Sequence, residues 1–261
     1  MKRSATAQPA SARAFAWFGA ALFFFSLTYF LFSYATTFGN IATAANAGRA
    51  ITWNVGLFSL FALHHSLFAR ERVRGWVTRT VPAGLERSFY VWIASLLFIA
   101  VCVWWQPVPG VAWRADGSWL WLLRLFQAAG VWLTLRSAAI LDIWELAGIR
   151  RPEGLRLPDD ADPVSVAGGL QASEFRASLQ ASEFRASGPY AWVRHPIYSG
   201  WFLMVFAASP MTMTRLVFAV VSCTYLLLAI PFEERSMRAT SQGGYDRYAA
   251  QVPWKLLPGV Y

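Results

Sequence analysis

The chain has 261 residues, of which 56% are hydrophobic, 16% are aromatic and only 14% are charged. Soluble domains have about one quarter charged residues, so this deficit argues against a water-exposed exterior and for a lipid-facing one. The net charge of +9 would suit nucleic acid, but the basic residues form short clusters between apolar runs, as in membrane loops. We therefore expect a lipid bilayer and no nucleic acid as the partner. Cys102 and Cys223 lie inside apolar runs without metal-ligand spacing, so no metal site is predicted.

Six apolar runs approach the roughly 20 residues that a transmembrane helix needs. They cover residues 14–34, 51–68, 89–105, 119–141, 197–213 and 215–232. The last two meet at Met213-Thr214-Arg215, which predicts a tight helical hairpin turning there. The predicted fold is all-α: a polytopic integral-membrane bundle of about six transmembrane helices, whose C-terminal hairpin forms a cleft.

The distribution of basic residues predicts the orientation of this bundle. With the N-terminus inside, the cytoplasmic segments carry 18 lysines and arginines and the opposite side carries 3, while Arg124 and Arg136 lie within the fourth run. Because positive residues accumulate in cytoplasmic loops, the asymmetry predicts a multi-pass protein of the cell membrane with both termini in the cytoplasm. The pattern does not specify an oligomeric state.

The runs divide the chain into three regions. Residues 1–141 form a four-helix membrane region, 142–187 a cytoplasmic connecting segment, and 188–261 a C-terminal region. The connecting segment contains the nine residues LQASEFRAS twice in succession, at 170–178 and 179–187. Surface segments tolerate added length at little cost, so we interpret the second copy as an insertion.

Polar residues gather at the two ends of the predicted hairpin. The run Arg194-His195-Pro196 opens the fifth apolar run, with Pro196 suited to the first turn of a helix. Glu233 and Glu234 follow the sixth run at the edge of the bilayer, where adjacent carboxylates are costly unless paired or hydrated. The hairpin predicts that Arg194, His195 and Tyr198 face this pair across one cleft, either as a ligand site or as a salt-bridge cluster.

Several motifs follow one another from residue 188 onward. They are Gly-Pro-Tyr at 188–190, Arg-His-Pro-x-Tyr-x-Gly at 194–200, Glu233-Glu234, Tyr245, Tyr248 and Val252-Pro253. In this order they resemble the isoprenylcysteine carboxyl methyltransferase superfamily, which includes bacterial methanethiol S-methyltransferases. The segments 62–70, 81–88, 105–107 and 209–212 resemble the methanethiol branch, which extends the likeness over most of the chain.

The resemblance implies an enzyme that uses S-adenosyl-L-methionine to methylate a small thiol such as methanethiol or another lipid-soluble acceptor. It implies that the following residues bind this cofactor: Tyr190, Arg194, His195, Pro196, Tyr198, Gly200, Glu233 and Glu234. Where the resemblance leads us to expect a histidine-containing segment, the chain has Leu141-Asp142-Ile143-Trp144-Glu145.

A thiol reacts as its thiolate and needs a base or a positive environment. The candidate catalytic groups are Arg194, His195 and Glu145, with Asp142 as a substrate residue. His64 and His65, inside the second apolar run, are candidates either for lining the substrate pocket or for hydrogen bonding within the bundle, because ionisable residues within a span are often functional and need a partner.

Three alternatives stay open from the sequence. One is carboxyl methylation of a prenylated cysteine, in which the acceptor needs no base. Another is a heme-dependent membrane isomerase with His64 or His65 as axial ligand. The third is a membrane scaffold that has kept the fold without binding the cofactor.

Overall fold

A computed structural model describes residues 10–43, 46–68, 81, 85–141, 147, 149, 186–241 and 243–261. Within them seven α-helices dominate, and one short pair of antiparallel strands joins two of the loops. This confirms the all-α prediction. The helices are α1 (Ala10–Ala35), α2 (Ala47–Phe68), α3 (Glu86–Trp104), α4 (Gly117–Ile140), α5 (Pro196–Phe206), α6 (Met213–Thr240) and α7 (Gly244–Gln251), and the strands are β1 (Val111–Trp113) and β2 (Met211–Thr212).

Three of the described helical segments are long and apolar enough to cross a membrane: Ala10–Gly39, Glu86–Trp104 and Met213–Ala239. Helices α2 and α4 cover the second and fourth predicted runs. Helix α5 has 11 residues and is therefore about 16 Å long, roughly half the thickness of a bilayer core. The helical membrane bundle is confirmed, whereas the number of six spans stays a prediction.

The turn of the C-terminal hairpin lies earlier in the chain than the apolar runs predicted. Helix α5 ends at Phe206, and Met213–Arg215, predicted as the turn, form the first turn of α6. The hydroxyl of Thr212 accepts a hydrogen bond from the backbone N–H of Arg215 at 3.2 Å, which caps α6 at its first turn. The connection is therefore 207–212, which includes β2 paired with β1.

An aromatic core holds the helices together around the fully buried Phe218 of α6. The Phe218 ring lies 5.2 Å from Phe30 of α1, 5.9 Å from Phe58 of α2 and 5.2 Å from Trp105 at the end of α3, measured between ring centroids. These separations are typical of favourable aromatic pairs. The core thus fixes α6, which carries the two adjacent glutamates, against the first three helices.

Two glycines bring α4 and α5 into backbone contact. A Cβ atom on Gly200 would lie 2.6 Å from the backbone oxygen of Gly130 and 2.4 Å from Oγ1 of Thr134. Small residues at such crossings allow membrane helices to approach closely. Helix α5 is therefore held mainly by α4, and this crossing sets the position of its first turn.

Candidate active site

The first turn of α5 is tied to the C-terminal segment of the chain. Pro196 occupies the first helical turn, and His195 is the residue before the helix. The backbone N–H groups of Arg194 and His195 donate to the carbonyls of Trp254 and Lys255, each at 2.9 Å. These two hydrogen bonds orient the side chains of Arg194 and His195 toward the end of α6.

The guanidinium of Arg194 forms a buried ion pair with Glu234 of α6. Its Nε donates to Oε1 of Glu234 at 2.9 Å, and the two side chains are 7% and 4% exposed. The Nη1 group of Arg194 also donates to the carbonyls of Val252 and Pro253, at 3.0 and 2.9 Å. Arg194 therefore links α6 to the C-terminal segment as well as neutralising Glu234.

The His195 ring lies between the two glutamates. Its Nε2 atom is 3.4 Å from Oε1 of Glu234, and its Nδ1 atom is 3.6 Å from Oε2 of Glu233. The ring also stacks on Tyr198, with centroids 5.4 Å apart and an interplanar angle of 17°. The Tyr198 hydroxyl donates a short hydrogen bond to Oε1 of Glu233. His195 and Tyr198 thus orient Glu233 from one side.

The two adjacent glutamates have different environments. Glu234 is buried and contacts Arg194, His195 and, at 3.4 Å, Nη2 of Arg238. The Glu233 side chain is 40% exposed, and its described contacts are with Tyr198 and His195. Glu234 therefore organises the site, whereas Glu233 presents a carboxylate that is open to a ligand.

Tyrosines near the two glutamates are held as neutral phenols. Burial, reinforced by Tyr248 and by the charge of Glu233, raises the pKa of Tyr190 above its ordinary value. Burial and the charge of Glu234 likewise raise the pKa of Tyr245, against the opposing effect of Arg194. Tyr248 donates from its hydroxyl to the carbonyl of Tyr190 at 2.9 Å. The phenols stay protonated at neutral pH and can donate hydrogen bonds or offer ring faces.

The structure brings together most of the residues predicted for this site. Tyr190, Arg194, His195, Tyr198, Glu233 and Glu234 form one cluster, with Pro196 starting the helix. Gly200 lies at the crossing with α4, so the structure gives it a packing role, and its cofactor contact stays a prediction. Asp142, Glu145 and the side chain of His65 lie outside the described residues.

His64 contacts a tyrosine that the sequence analysis did not single out. The ring of His64 on α2 stacks on Tyr90 of α3, with centroids 5.4 Å apart. No local motif marks Tyr90. Arg238 was also missed, although its position four residues after Glu234 on one helix was a usable signal.

Comparison with known proteins gives one consistent result. The family model described as "Isoprenylcysteine carboxyl methyltransferase (ICMT) family" matches residues 174–239, a range that contains the Arg194 turn and both glutamates. The methanethiol S-methyltransferase of Mycobacterium tuberculosis is 33% identical over 220 residues, which are 82% of this chain and 82% of that protein.

Two further relatives carry the same name. The methanethiol S-methyltransferase of Crocosphaera subtropica is 32% identical over 213 residues, 81% of this chain and 76% of that protein. Methanethiol S-methyltransferase 2 of Bradyrhizobium diazoefficiens is 31% identical over 223 residues, 85% of this chain and 78% of that protein. No solved structure matches the chain significantly.

The helical bundle and these relatives together define an integral-membrane methyltransferase. The chain belongs to the isoprenylcysteine carboxyl methyltransferase family, and its similarity to the methanethiol S-methyltransferases covers more than four fifths of its length. The enzyme transfers a methyl group from a donor to an acceptor, as this family does. The family assignment therefore favours the methyltransferase over the two other classes left open by the sequence, the heme-dependent isomerase and the non-catalytic scaffold.

Proposed function

We propose that this membrane enzyme transfers the methyl group of S-adenosyl-L-methionine to a small thiol such as methanethiol. The observation that carries the cofactor assignment is the 40% exposed carboxylate of Glu233, held by Tyr198 and His195 among neutral phenols. The thiol assignment is supported by the relatives named above, which share about a third of their residues with this chain over most of its length.

The chemistry of the residues fits this cofactor. S-Adenosylmethionine carries an ammonium group, ribose hydroxyls and a sulfonium cation, and a carboxylate accepts hydrogen bonds from the first two. Aromatic faces attract cations, so Tyr190 and Tyr198 suit the positively charged end of the molecule. We assign Glu233, Tyr190 and Tyr198 to cofactor contact, and Arg194 and Glu234 to positioning Glu233 and the start of α5.

The proposed reaction makes modest demands on the protein. The bound cofactor supplies a methyl carbon attached to a sulfonium leaving group. An acceptor thiolate would take that methyl group, and the sulfonium would leave as the neutral thioether S-adenosylhomocysteine beside the methylated thiol. Holding the three atoms in line gives most of the rate. The thiol proton must leave first, and His195 and Glu233 are the described groups able to accept it.

The acceptor side of the proposal rests on His64 and Tyr90. Their stacked rings connect α2 and α3, so an acceptor entering between these two helices would pass aromatic surfaces. We keep Asp142, Glu145 and His65 as candidate substrate or catalytic residues of the same pocket. A non-polar entry route of this kind suits methanethiol and also a lipid-soluble acceptor.

We also propose the orientation and regional organisation that the sequence predicts. The 18-to-3 excess of basic residues supports a cell-membrane protein with cytoplasmic termini and the site on the cytoplasmic side. In this arrangement residues 1–141 anchor the bundle, 142–187 connect it on the cytoplasmic side, and 188–261 bind the cofactor.

One assay separates the proposed acceptor from carboxyl methylation, which the description of the matching family favours as the second candidate. Membranes containing the full chain are incubated with methyl-labelled S-adenosylmethionine and either methanethiol or a farnesylated cysteine. We expect volatile labelled dimethyl sulfide in the headspace with methanethiol, and little label in a base-labile lipid ester. Label confined to the base-labile ester would show that the acceptor is a carboxylate and contradict the thiol assignment.

A further inference from the structure

A cavity of about 240 Å³ lies at the end of the bundle where α1 ends and α6 begins. Arg215, in the first turn of α6, lines this cavity, whereas Glu233 is 18 residues further along the same helix, which is about 27 Å. The cavity is therefore separate from the methyltransferase site. Its wall is mostly apolar, with Arg124 and Gln127 of α4 and Arg215 of α6 as polar groups.

Arg215 is a fixed positive charge beside this cavity. It is 3% exposed, and its guanidinium donates to the carbonyls of Tyr34 and Ala35 at the end of α1 and to that of Pro210, at 2.7–2.9 Å. It also lies over the Tyr34 ring, 5.4 Å from the centroid. All of these partners are formally neutral, so the hydrogen bonds satisfy the donors without cancelling the charge.

Arg124 adds a second charge to the same cavity. Its Nη1 donates to Oε1 of Gln127 at 3.2 Å, and its Nη2 donates to the carbonyl of Ser209 at 3.4 Å, which leaves the other guanidinium N–H groups available. In the part of the chain that the structure describes, neither arginine forms an ion pair with a carboxylate. Hydrogen bonds to the last carbonyls of α1 explain why an arginine is present at position 215. Arg124 makes no such bonds, so they do not explain its presence.

Charged side chains within membrane helices are costly and are found where a partner or an aqueous cavity compensates them. Guanidinium groups bind phosphate oxygens through strong, charge-assisted hydrogen bonds. We propose that this cavity binds the phosphate-bearing headgroup of an anionic membrane lipid, with Arg124 as the hydrogen-bonding contact and Arg215 as a buried positive charge beside it. A second binding site, distinct from the site of methyl transfer, is thereby assigned to the opposite end of the bundle.

The shape of the cavity favours a lipid over a soluble anion. Its volume is below that of sites for drug-sized ligands, so it accommodates a headgroup rather than a whole amphiphile. Leu31 of α1, which lines the cavity, is 41% exposed, and Leu125 of α4, the residue after Arg124, is 64% exposed. An acyl chain could therefore run from the cavity along this apolar surface.

The test uses the purified full chain in nanodiscs of phosphatidylcholine with increasing phosphatidylglycerol, and native mass spectrometry counts the retained lipid. We expect the parent protein to retain phosphatidylglycerol selectively and Arg124→Gln to weaken that retention about 10-fold or more, since a charge-assisted contact is lost. Arg114→Gln is the matched control, because it removes an exposed arginine at the same end that does not line the cavity. It should behave like the parent.

A second variant distinguishes a loss of lipid binding from an effect on folding. Ala128→Leu fills the cavity and keeps both arginines, so it should also release phosphatidylglycerol while thermal unfolding stays close to that of the parent. In a second experiment, inorganic phosphate is titrated against the purified protein in neutral detergent. Phosphate binding that Arg124→Gln abolishes, without selective retention of phosphatidylglycerol, would show a soluble-anion site and contradict the lipid assignment. No preference for phosphatidylglycerol or phosphate in the parent, or equal retention by Arg124→Gln and Arg114→Gln, would overturn the proposal.

Discussion

Replacing Gly200 with alanine is expected to destabilise the protein by about 3 kcal/mol, at the upper end of what overpacking costs. The new Cβ would lie 2.6 Å from the backbone oxygen of Gly130, which cannot move without shifting α4. Separating the two helices would also displace the first turn of α5 and with it Arg194 and His195. Thermal unfolding in detergent micelles, followed by tryptophan fluorescence, measures the loss.

Two further glycine variants make this prediction specific. Gly130→Ala should cost as much as Gly200→Ala, because its Cβ would meet the backbone oxygen of Gly200 at 2.6 Å. Gly56→Ala is the control, since nothing lies within 4 Å of its Cβ position in α2 and alanine favours a helix by up to about 1 kcal/mol. Unchanged unfolding in Gly200→Ala together with weaker cofactor binding would show that Gly200 serves the ligand and not the crossing.

Replacing Arg194 with methionine is expected to cost about 3–5 kcal/mol, the loss typical of removing one member of a buried ion pair. The change leaves the Glu234 carboxylate 4% exposed beside His195 and Arg238 without its 2.9 Å partner. It also removes the hydrogen bonds to Val252 and Pro253, so the C-terminal segment should exchange its amide hydrogens faster.

A double-mutant cycle with Glu234→Gln isolates the interaction between the two side chains. We expect the double variant to be more stable than Arg194→Met alone, because no buried charge is then left without its partner. Arg247→Met, which removes an exposed arginine of α7, is the control and should change stability by less than about 0.5 kcal/mol. Additive effects of Arg194→Met and Glu234→Gln would contradict the ion pair as described.

The side-chain cluster at the end of α6 could be predicted from the sequence because its signals are local. A proline after Arg194-His195 indicates the start of a helix, and two carboxylates directly after an apolar run indicate its membrane edge. The turn of the hairpin was predicted too late in the chain, because apolar runs alone do not mark where a helix starts. Thr212, which caps α6, was the residue that indicated the true boundary.

The different roles of Glu233 and Glu234 could not be predicted from the sequence. The two residues are chemically identical and adjacent, so on a helix they point about 100° apart, and tertiary packing alone decides which one meets Arg194. The packing role of Gly200 could not be predicted either, because its partners Gly130 and Thr134 lie some 70 residues earlier in the chain. Tyr90 likewise connects to His64 through space rather than through a motif.

The central claim is that Glu233 binds S-adenosylmethionine at this end of α6, and calorimetric titration of the purified full chain with that molecule tests it most directly. We predict that Glu233→Gln weakens binding by about 10- to 100-fold, as expected for the loss of a charge-assisted hydrogen bond worth about 1.5–3 kcal/mol. Its thermal unfolding should match that of the parent, because the Glu233 side chain is 40% exposed. Asp116→Asn, at the opposite end of the bundle, should bind normally. A Glu233→Gln variant that binds S-adenosylmethionine as tightly as the parent would contradict the account.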